Sequence, residues 1–290
     1  MSRRRTGTSA AGAGNKTADP DPVEVQVDGL VATSKPAPAY IQAEVRLAID
    51  RLGTIFRVDK AITEALKDEL GVRLLSAQSP DVFIFGAKRR PKRLILLNFL
   101  ETDNKCRVDP AAVHEECAHA LRSVFYPVEN PMLQEFFGAL GPILALDKRL
   151  ISGGPMLEMA DTIFGMRQGG GHLTDIPDAL AEKLKKFLPP GVLAHSDDGG
   201  GNEDIARGFL ENSMNHMLPM LAAESMADTG HLKDLMDRYQ LMLLPPKEIA
   251  MLLTDYGRRC AQDEAWNVKY EGFRKVCGYY LRPGKTTNGT

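Results

Sequence analysis

The apolar positions of this chain follow a helical period first and the pattern of short strands afterwards. Across Tyr40–Leu70 they recur every three or four residues, which predicts amphipathic helix, and Gly71 is suited to end it. Three short runs rich in β-branched and aromatic residues come next, at Val72–Ser76, Val82–Phe85 and Arg93–Phe99. Because Gly, Pro and Ser residues separate these runs, they predict the strands of a small β-sheet.

A helical pattern dominates from Asp109 onward. Asp109 is a favourable N-cap and Pro110 a favourable first helical residue, so a helix is expected to begin there. Further helices are predicted at Pro131–Leu146, Met156–Met166, Pro177–Leu188, Glu203–Met226, Leu232–Leu244 and Lys247 to about Trp266. The predicted elements are thus helices first, then a small sheet, and then mostly helices. This order predicts an α+β fold that is mostly helical.

The domain organisation follows from a change in composition near residue 38. Residues 1–38 are rich in Gly, Ala, Ser, Thr and Pro without a hydrophobic period, which predicts a disordered N-terminal tail. Residues 39–290 are expected to form a single domain. Within it, residues 39–126 would supply the first helices, the sheet and the helix that begins after Asp109, and residues 127–290 a helical part.

Composition and charge limit the classes of partner. The chain has 290 residues, 43% of them hydrophobic, and a formal net charge of −2, so no global attraction to nucleic acid or anionic membrane is expected. The basic segment Lys88–Arg93 contains no aromatic residue and is interpreted as a solvated turn. No apolar run reaches the ~20 residues of a membrane span, and no secretory signal is evident. Four widely spaced cysteines suit a reducing compartment, so a cytoplasmic location is expected. The oligomeric state is left open.

The helix predicted after Asp109 carries the residues with the clearest chemistry. His114, Glu115, Glu116 and His119 lie within six consecutive residues. A His-Glu pair followed by a second His is typical of hydrolytic zinc helices, whose usual spacing is H-E-x-x-H. Here the spacing is 119 − 114 = 5, which on a regular helix separates the two imidazoles by about 140°. Both rings can therefore hold one ion only if a π-bulge near residue 116 adds a residue to the turn. Otherwise an ordinary surface Glu–His pair is the simpler interpretation.

The segment Val113–Leu121 resembles the H-E-x-x-x-H motif of the dipeptidyl peptidase III family, zinc peptidases in which both His bind the metal despite the inserted residue. More loosely, it is similar to the active-site helix of zincin metallopeptidases. The resemblance implies a zincin-like fold, Zn²⁺ bound by His114 and His119, and Glu115 as the general base. It also implies that the strand Arg93–Phe99 is an edge strand that aligns the substrate.

A third metal ligand is expected on the next predicted helix. That helix is apolar on nearly all sides and carries Glu135 as its one charge, and a buried carboxylate requires a partner or a metal. Glu135 is therefore the preferred third ligand, in a position similar to that of the glutamate on the second helix of gluzincins. Glu158 and Asp161 are alternatives, and an ion pair with Arg122 or Lys148 would equally account for Glu135.

The leading hypothesis is a zinc-dependent metallopeptidase that hydrolyses a peptide or protein substrate with a metal-activated water. Two alternatives remain. One is a non-enzymatic helical interaction protein, whose binding surface would be the methionine-rich stripe around His216. The other is a degenerate zincin that has lost its metal. Cys117, three residues after His114, is an alternative ligand on an undistorted helix, although it is more simply a buried hydrophobic residue.

Overall fold

A computed structural model describes residues 23–27, 30–75, 82–85, 93–102, 105–151, 155–188, 201–260 and 262. The strands are β1 (Val23–Val27), β2 (Leu30–Pro36), β3 (Leu70–Leu75), β4 (Val82–Phe85), β5 (Arg93–Asn98), β6 (Leu100–Thr102) and β7 (Lys105–Arg107). The helices of the first half are α1 (Ala39–Ile55), α2 (Lys60–Glu69), α3 (Pro110–Phe125) and α4 (Pro131–Leu146). Those of the second half are α5 (Pro155–Gln168), α6 (Asp178–Lys185), α7 (Asn202–Asn212), α8 (Leu218–Asp228), α9 (His231–Arg238) and α10 (Pro246–Cys260).

The fold is α+β and mostly helical, as the sequence predicts. The three predicted strands correspond to β3, β4 and β5, and the helices predicted after Asp109 and at Pro131–Leu146 correspond to α3 and α4. The long helix predicted at Glu203–Met226 contains a π-turn, Ser213–Met217, between α7 and α8. The short hairpin of β6 and β7 was not predicted. Among the described helices, none combines the length and apolar content that a bilayer span requires.

The main sheet has the strand order β1-β2-β3-β5-β4. β3 and β5 are parallel, with Leu70 opposite Arg93 and Leu75 opposite Asn98, whereas the other pairs are antiparallel. The expectation that β5 is an edge strand is therefore wrong, because β3 and β4 pair with it on both sides. The physical reason is visible in its burial: Ile95, Leu96 and Leu97 are consecutive and all fully buried, as in a strand covered on both faces.

The predicted N-terminal tail also requires correction where the structure describes it. β1 and β2 lie within residues 1–38 and extend the sheet, with Ser34 of β2 opposite Leu75 of β3. Backbone hydrogen bonds to an open sheet edge order this segment, and composition does not reveal such pairing. Residues 1–22, the centre of the basic turn (86–92) and the end of the last predicted helix (263–266) lie outside the described residues.

Helices α3 and α4 form the centre of the helical part. α3 packs against α4, α1 and the strands β4 and β5, and α4 also packs against α8. Gly141 permits the close α3–α4 contact, since a Cβ at this position would lie 2.7 Å from the carbonyl carbon of His114. The two helices therefore approach closely enough for short side chains on facing positions to meet.

Candidate metal centre

Helix α3 is an uninterrupted α-helix from Pro110 to Phe125, and the π-bulge expected near residue 116 is absent from it. The Asp109 side chain accepts a hydrogen bond from the Ala111 amide at 2.9 Å, which fixes the start of the helix. The stripe of Val113, Cys117, Ala120 and Leu121 is fully or almost fully buried, as a regular 3.6-residue period requires. The two imidazoles of α3 consequently lie on different sides of the helix.

The imidazole of His114 forms a hydrogen bond with the backbone of its own helix, α3, and not with a carboxylate of the predicted site. Its Nδ1 lies 2.7 Å from the Pro110 carbonyl oxygen, to which it donates, and the side chain is buried. Burial is the main cause that lowers the pKa of this ring. The structure therefore does not bring His114 together with the other residues of the predicted site.

His119 lies instead with two carboxylates. One ligand atom from each of Glu115, His119 and Glu135 can be chosen so that all three lie within 4.8 Å of one another. Glu115 and His119 are one turn apart on α3, and Glu135 faces them from α4, with its Oε2 3.9 Å from His119 Nε2. We call these three residues the ligand group. Within the described residues, it is the group of three His, Cys, Asp or Glu side chains arranged to hold an ion.

Gly138 provides the space for the His119 ring between the two helices. A Cβ on residue 138 would overlap the imidazole, at 2.6 Å from Cε1 and 3.0 Å from Cδ2. Real Cβ atoms essentially never come this close to a neighbour, so any other residue here forces the ring to move. The glycine thus allows His119 to lie against α4, close to Glu135.

The surroundings of His119 keep its imidazole in the neutral form that can bind a metal. Burial, assisted by the nearby His216, lowers the pKa of His119 to about 4, so its imidazole is neutral at physiological pH. Burial raises the pKa of Glu135, and His216 partly opposes this shift. A half-buried pair of carboxylates beside a neutral imidazole is an arrangement that a divalent cation would stabilise.

The alternative ion pairs for Glu135 are not formed. Arg122 pairs with Glu129, and Lys148 lies 3.5 Å from Asp109. Both Glu135 oxygens instead face imidazoles, because Oε1 lies 3.8 Å from His216 Nε2 while Oε2 faces His119. Glu135 is thus placed between two histidines.

The other candidates lie apart from this group. Glu158 is exposed on α5, and the side chain of Asp161 lies outside the described residues. Cys117 belongs to the core, where its Sγ donates to the Val45 carbonyl oxygen at 3.6 Å. Burial raises the pKa of this thiol, so it is neither a ready ligand nor a nucleophile.

A cavity of about 310 Å³ opens beside the ligand group. His119 lines it and therefore belongs to both the ligand group and the cavity wall. The other walls come from the end of α3, the α3–α4 connection and the start of α4, including Arg122, Tyr126, Glu129 and Gln134. A small molecule or side chain in this cavity would lie against His119.

In the structure, the two residues of the H-E-x-x-x-H segment that can act as ligands on one face of α3 differ from the pair that the motif suggests. That spacing is i, i+4, and it is met by Glu115 and His119, not by His114 and His119. No protein-family model, curated protein or solved structure matches this chain. Glu115, for which the resemblance implies the role of general base, lies within the ligand group itself, and Glu116 is the residue that follows it.

Sequence reasoning did not identify His216 as part of this site. It interpreted the methionine-rich stripe around His216 as core packing or as a binding surface for a partner, and Met217 and Met220 are buried in the structure. His216 is half-exposed and lies in the π-turn, close to Glu135. The proline at position 219, which disfavours a regular helix in the preceding turn, is a signal that could have indicated the irregularity.

Proposed function

We propose that this protein is a metal-dependent hydrolase that binds one divalent ion, with Zn²⁺ as the first expectation, through Glu115, His119 and Glu135. The observation that carries the proposal is the convergence of these three side chains from two closely packed helices. Three nitrogen and oxygen ligands with a fourth position left for water are typical of catalytic zinc sites. The two carboxylates would balance the charge of the ion in this half-buried position.

We propose that Glu116 is the general base. In H-E-x-x-H helices the ligands occupy positions i and i+4, and the base is at i+1. Glu115 and His119 have that spacing, which assigns i+1 to Glu116, a buried residue. When bound, Zn²⁺ would polarise a carbonyl group and lower the pKa of its water. Glu116 would accept the proton of that water and return it to the leaving group.

A peptide substrate is proposed because of the sheet edge beside α3. β4 is the last strand of the described sheet on this side, and it lies against α3. An edge strand can pair with an extended peptide through backbone hydrogen bonds. The substrate-aligning role that the resemblance implied for β5 is therefore proposed for β4.

Metal analysis of the purified full-length chain tests the ligand assignment. We expect about one zinc per chain, and we expect Glu115→Gln, His119→Ala and Glu135→Gln each to weaken zinc binding by about 100-fold or more, since even the loss of a supporting contact costs about 10–100-fold. His114→Ala is the matched control, because it removes an imidazole from the same helix outside the ligand group. Affinities are measured by competition with a chromophoric chelator.

The outcome separates the two ligand sets. Zinc binding that is lost in His114→Ala and kept in Glu115→Gln would contradict the proposal and support the original H-E-x-x-x-H assignment. Absence of stoichiometric metal from the wild-type chain would contradict both. Hydrolysis is tested separately with a peptide library, where Glu116→Gln is expected to keep the metal and to lose activity by about 100-fold or more.

A further inference from the structure

We infer that His216 is a fourth ligand of the metal centre, carried into position by the π-turn Ser213–Met217. This inference rests on the proposed function, since it adds a residue to the same site. It would give the ion two imidazoles and two carboxylates, from α3, α4 and the π-turn.

The first argument is the position of Glu135 between two imidazoles. Its Oε1 lies 3.8 Å from His216 Nε2, and its Oε2 lies 3.9 Å from His119 Nε2. Two donor atoms that each lie about 2.0–2.2 Å from the same zinc ion are at most about 4.2–4.4 Å apart. Both distances satisfy this limit, so an ion held by Glu135 can lie within reach of either ring.

The second argument is the orientation of the His216 ring. Its Nδ1 lies 3.2 Å from the Asn212 carbonyl oxygen, which is a hydrogen-bond acceptor. The Nδ1–H donates to this carbonyl, so Nε2, which lies 3.8 Å from Glu135 Oε1, is the ring nitrogen that would bind the ion. Metal-binding histidines are commonly oriented in this way, with the second ring nitrogen bonded to a backbone carbonyl.

The third argument is the backbone that carries His216. A π-turn adds one residue to a helical turn, and such turns concentrate at functional sites. Pro219 gives the local cause, since its ring lacks an N–H and clashes with the carbonyl of residue 215 in a regular helix. The side chain of Ser213, at the start of this turn, is buried, and its Oγ has no hydrogen-bond partner within the described residues. The turn therefore leaves one buried polar atom unsatisfied, which costs stability.

The fourth argument is the freedom of the ring to move. The His216 side chain is 51% exposed, and it lies outside the group whose atoms are all within 4.8 Å of one another. A small movement of this exposed ring toward His119 and Glu115 would complete the site without disturbing the core. His216 would thus bind the ion as a fourth protein ligand, and the water that the proposed hydrolysis requires would occupy a fifth position.

The number of imidazoles bound to the ion tests this inference directly. X-ray absorption spectroscopy of the zinc-loaded full-length chain is expected to detect two imidazole ligands in the wild type and one in His216→Ala. Zinc affinity, measured by chelator competition, is expected to fall by about 10–100-fold in the variant. His172→Ala, which removes an exposed imidazole from the segment between α5 and α6, is the matched control and should change neither result.

The result distinguishes failure of the fourth ligand from failure of the whole site. A zinc-binding wild type with one imidazole, or with the same affinity in His216→Ala, would overturn the role of His216 and leave the ligand group in place. A wild-type chain that takes up no zinc would overturn both. Because His216 is exposed, the variant is expected to fold, which circular dichroism verifies.

Discussion

Gly138→Ala is expected to abolish high-affinity metal binding while the protein remains folded. The added methyl group would overlap the His119 ring, at 2.6 Å from Cε1, and the ring must then leave the space beside Glu135. The atoms in conflict belong to the end of a side chain, so the helices need not separate. We expect the zinc affinity to fall by about 100-fold or more, as for loss of a ligand, and the free energy of unfolding to change by less than about 2 kcal/mol. Chelator competition and urea denaturation measure the two quantities.

Two other glycines provide the controls for this prediction. Gly257 lies in the exposed part of α10 with no atom within 4 Å of a Cβ, so Gly257→Ala should leave zinc binding unchanged and stabilise the fold by up to about 1 kcal/mol. Gly141→Ala would instead press a methyl group against the His114 backbone, which separates α3 from α4 and lowers stability. Wild-type zinc affinity in Gly138→Ala would contradict the placement of His119 in the site.

Arg122→Met is expected to destabilise the fold by about 3–5 kcal/mol, because it leaves a buried carboxylate without its cation. Arg122 is 1% exposed, and the side chain of Glu129, with which it forms a two-pronged ion pair, is 0% exposed. The guanidinium also donates to the Met242 carbonyl oxygen at 2.7 Å and lies over the rings of Phe137 and Tyr126. It thereby ties the end of α3 to the start of α4 and to the segment before α10.

Urea denaturation measures this effect, and two comparisons establish its cause. Arg207→Met breaks an exposed pair with Glu203 and should cost no more than about 1 kcal/mol. Adding Glu129→Gln to Arg122→Met removes the uncompensated charge, so the double variant should recover part of the lost stability. A cost for Arg122→Met as small as that for Arg207→Met would show that the buried pair has no special role.

The Arg122–Glu129 pair also matters for the site. It fixes the connection that leads into α4, six residues before Glu135, and both of its members line the cavity beside His119. A loosened connection would shift α4 relative to α3. We therefore expect Arg122→Met to weaken zinc binding as well as to lower stability.

Local signals in the sequence predicted the starts of the helices that carry the ligand group. Asp109 caps α3 and Pro110 is its first residue, as expected, and α4 begins at the predicted Pro131 with Asn130 as its cap. The single carboxylate of an apolar helix also indicated Glu135, because a buried charge requires a partner whatever the fold. The helix starts could be predicted because their causes lie within one or two helical turns of the residue concerned.

The sequence alone determined an α+β protein, mostly helical, with His119 and Glu135 as candidate ligands on consecutive helices. Only the tertiary structure decided that Glu115, not His114, lies with them, that β5 is a central strand, and that His216 belongs beside Glu135. The physical reason is distance along the chain: His216 follows Glu135 by 216 − 135 = 81 residues, and β2 pairs with β3 across α1 and α2. Periodicity and capping report on neighbouring residues, whereas the packing of remote segments selects which side chains meet.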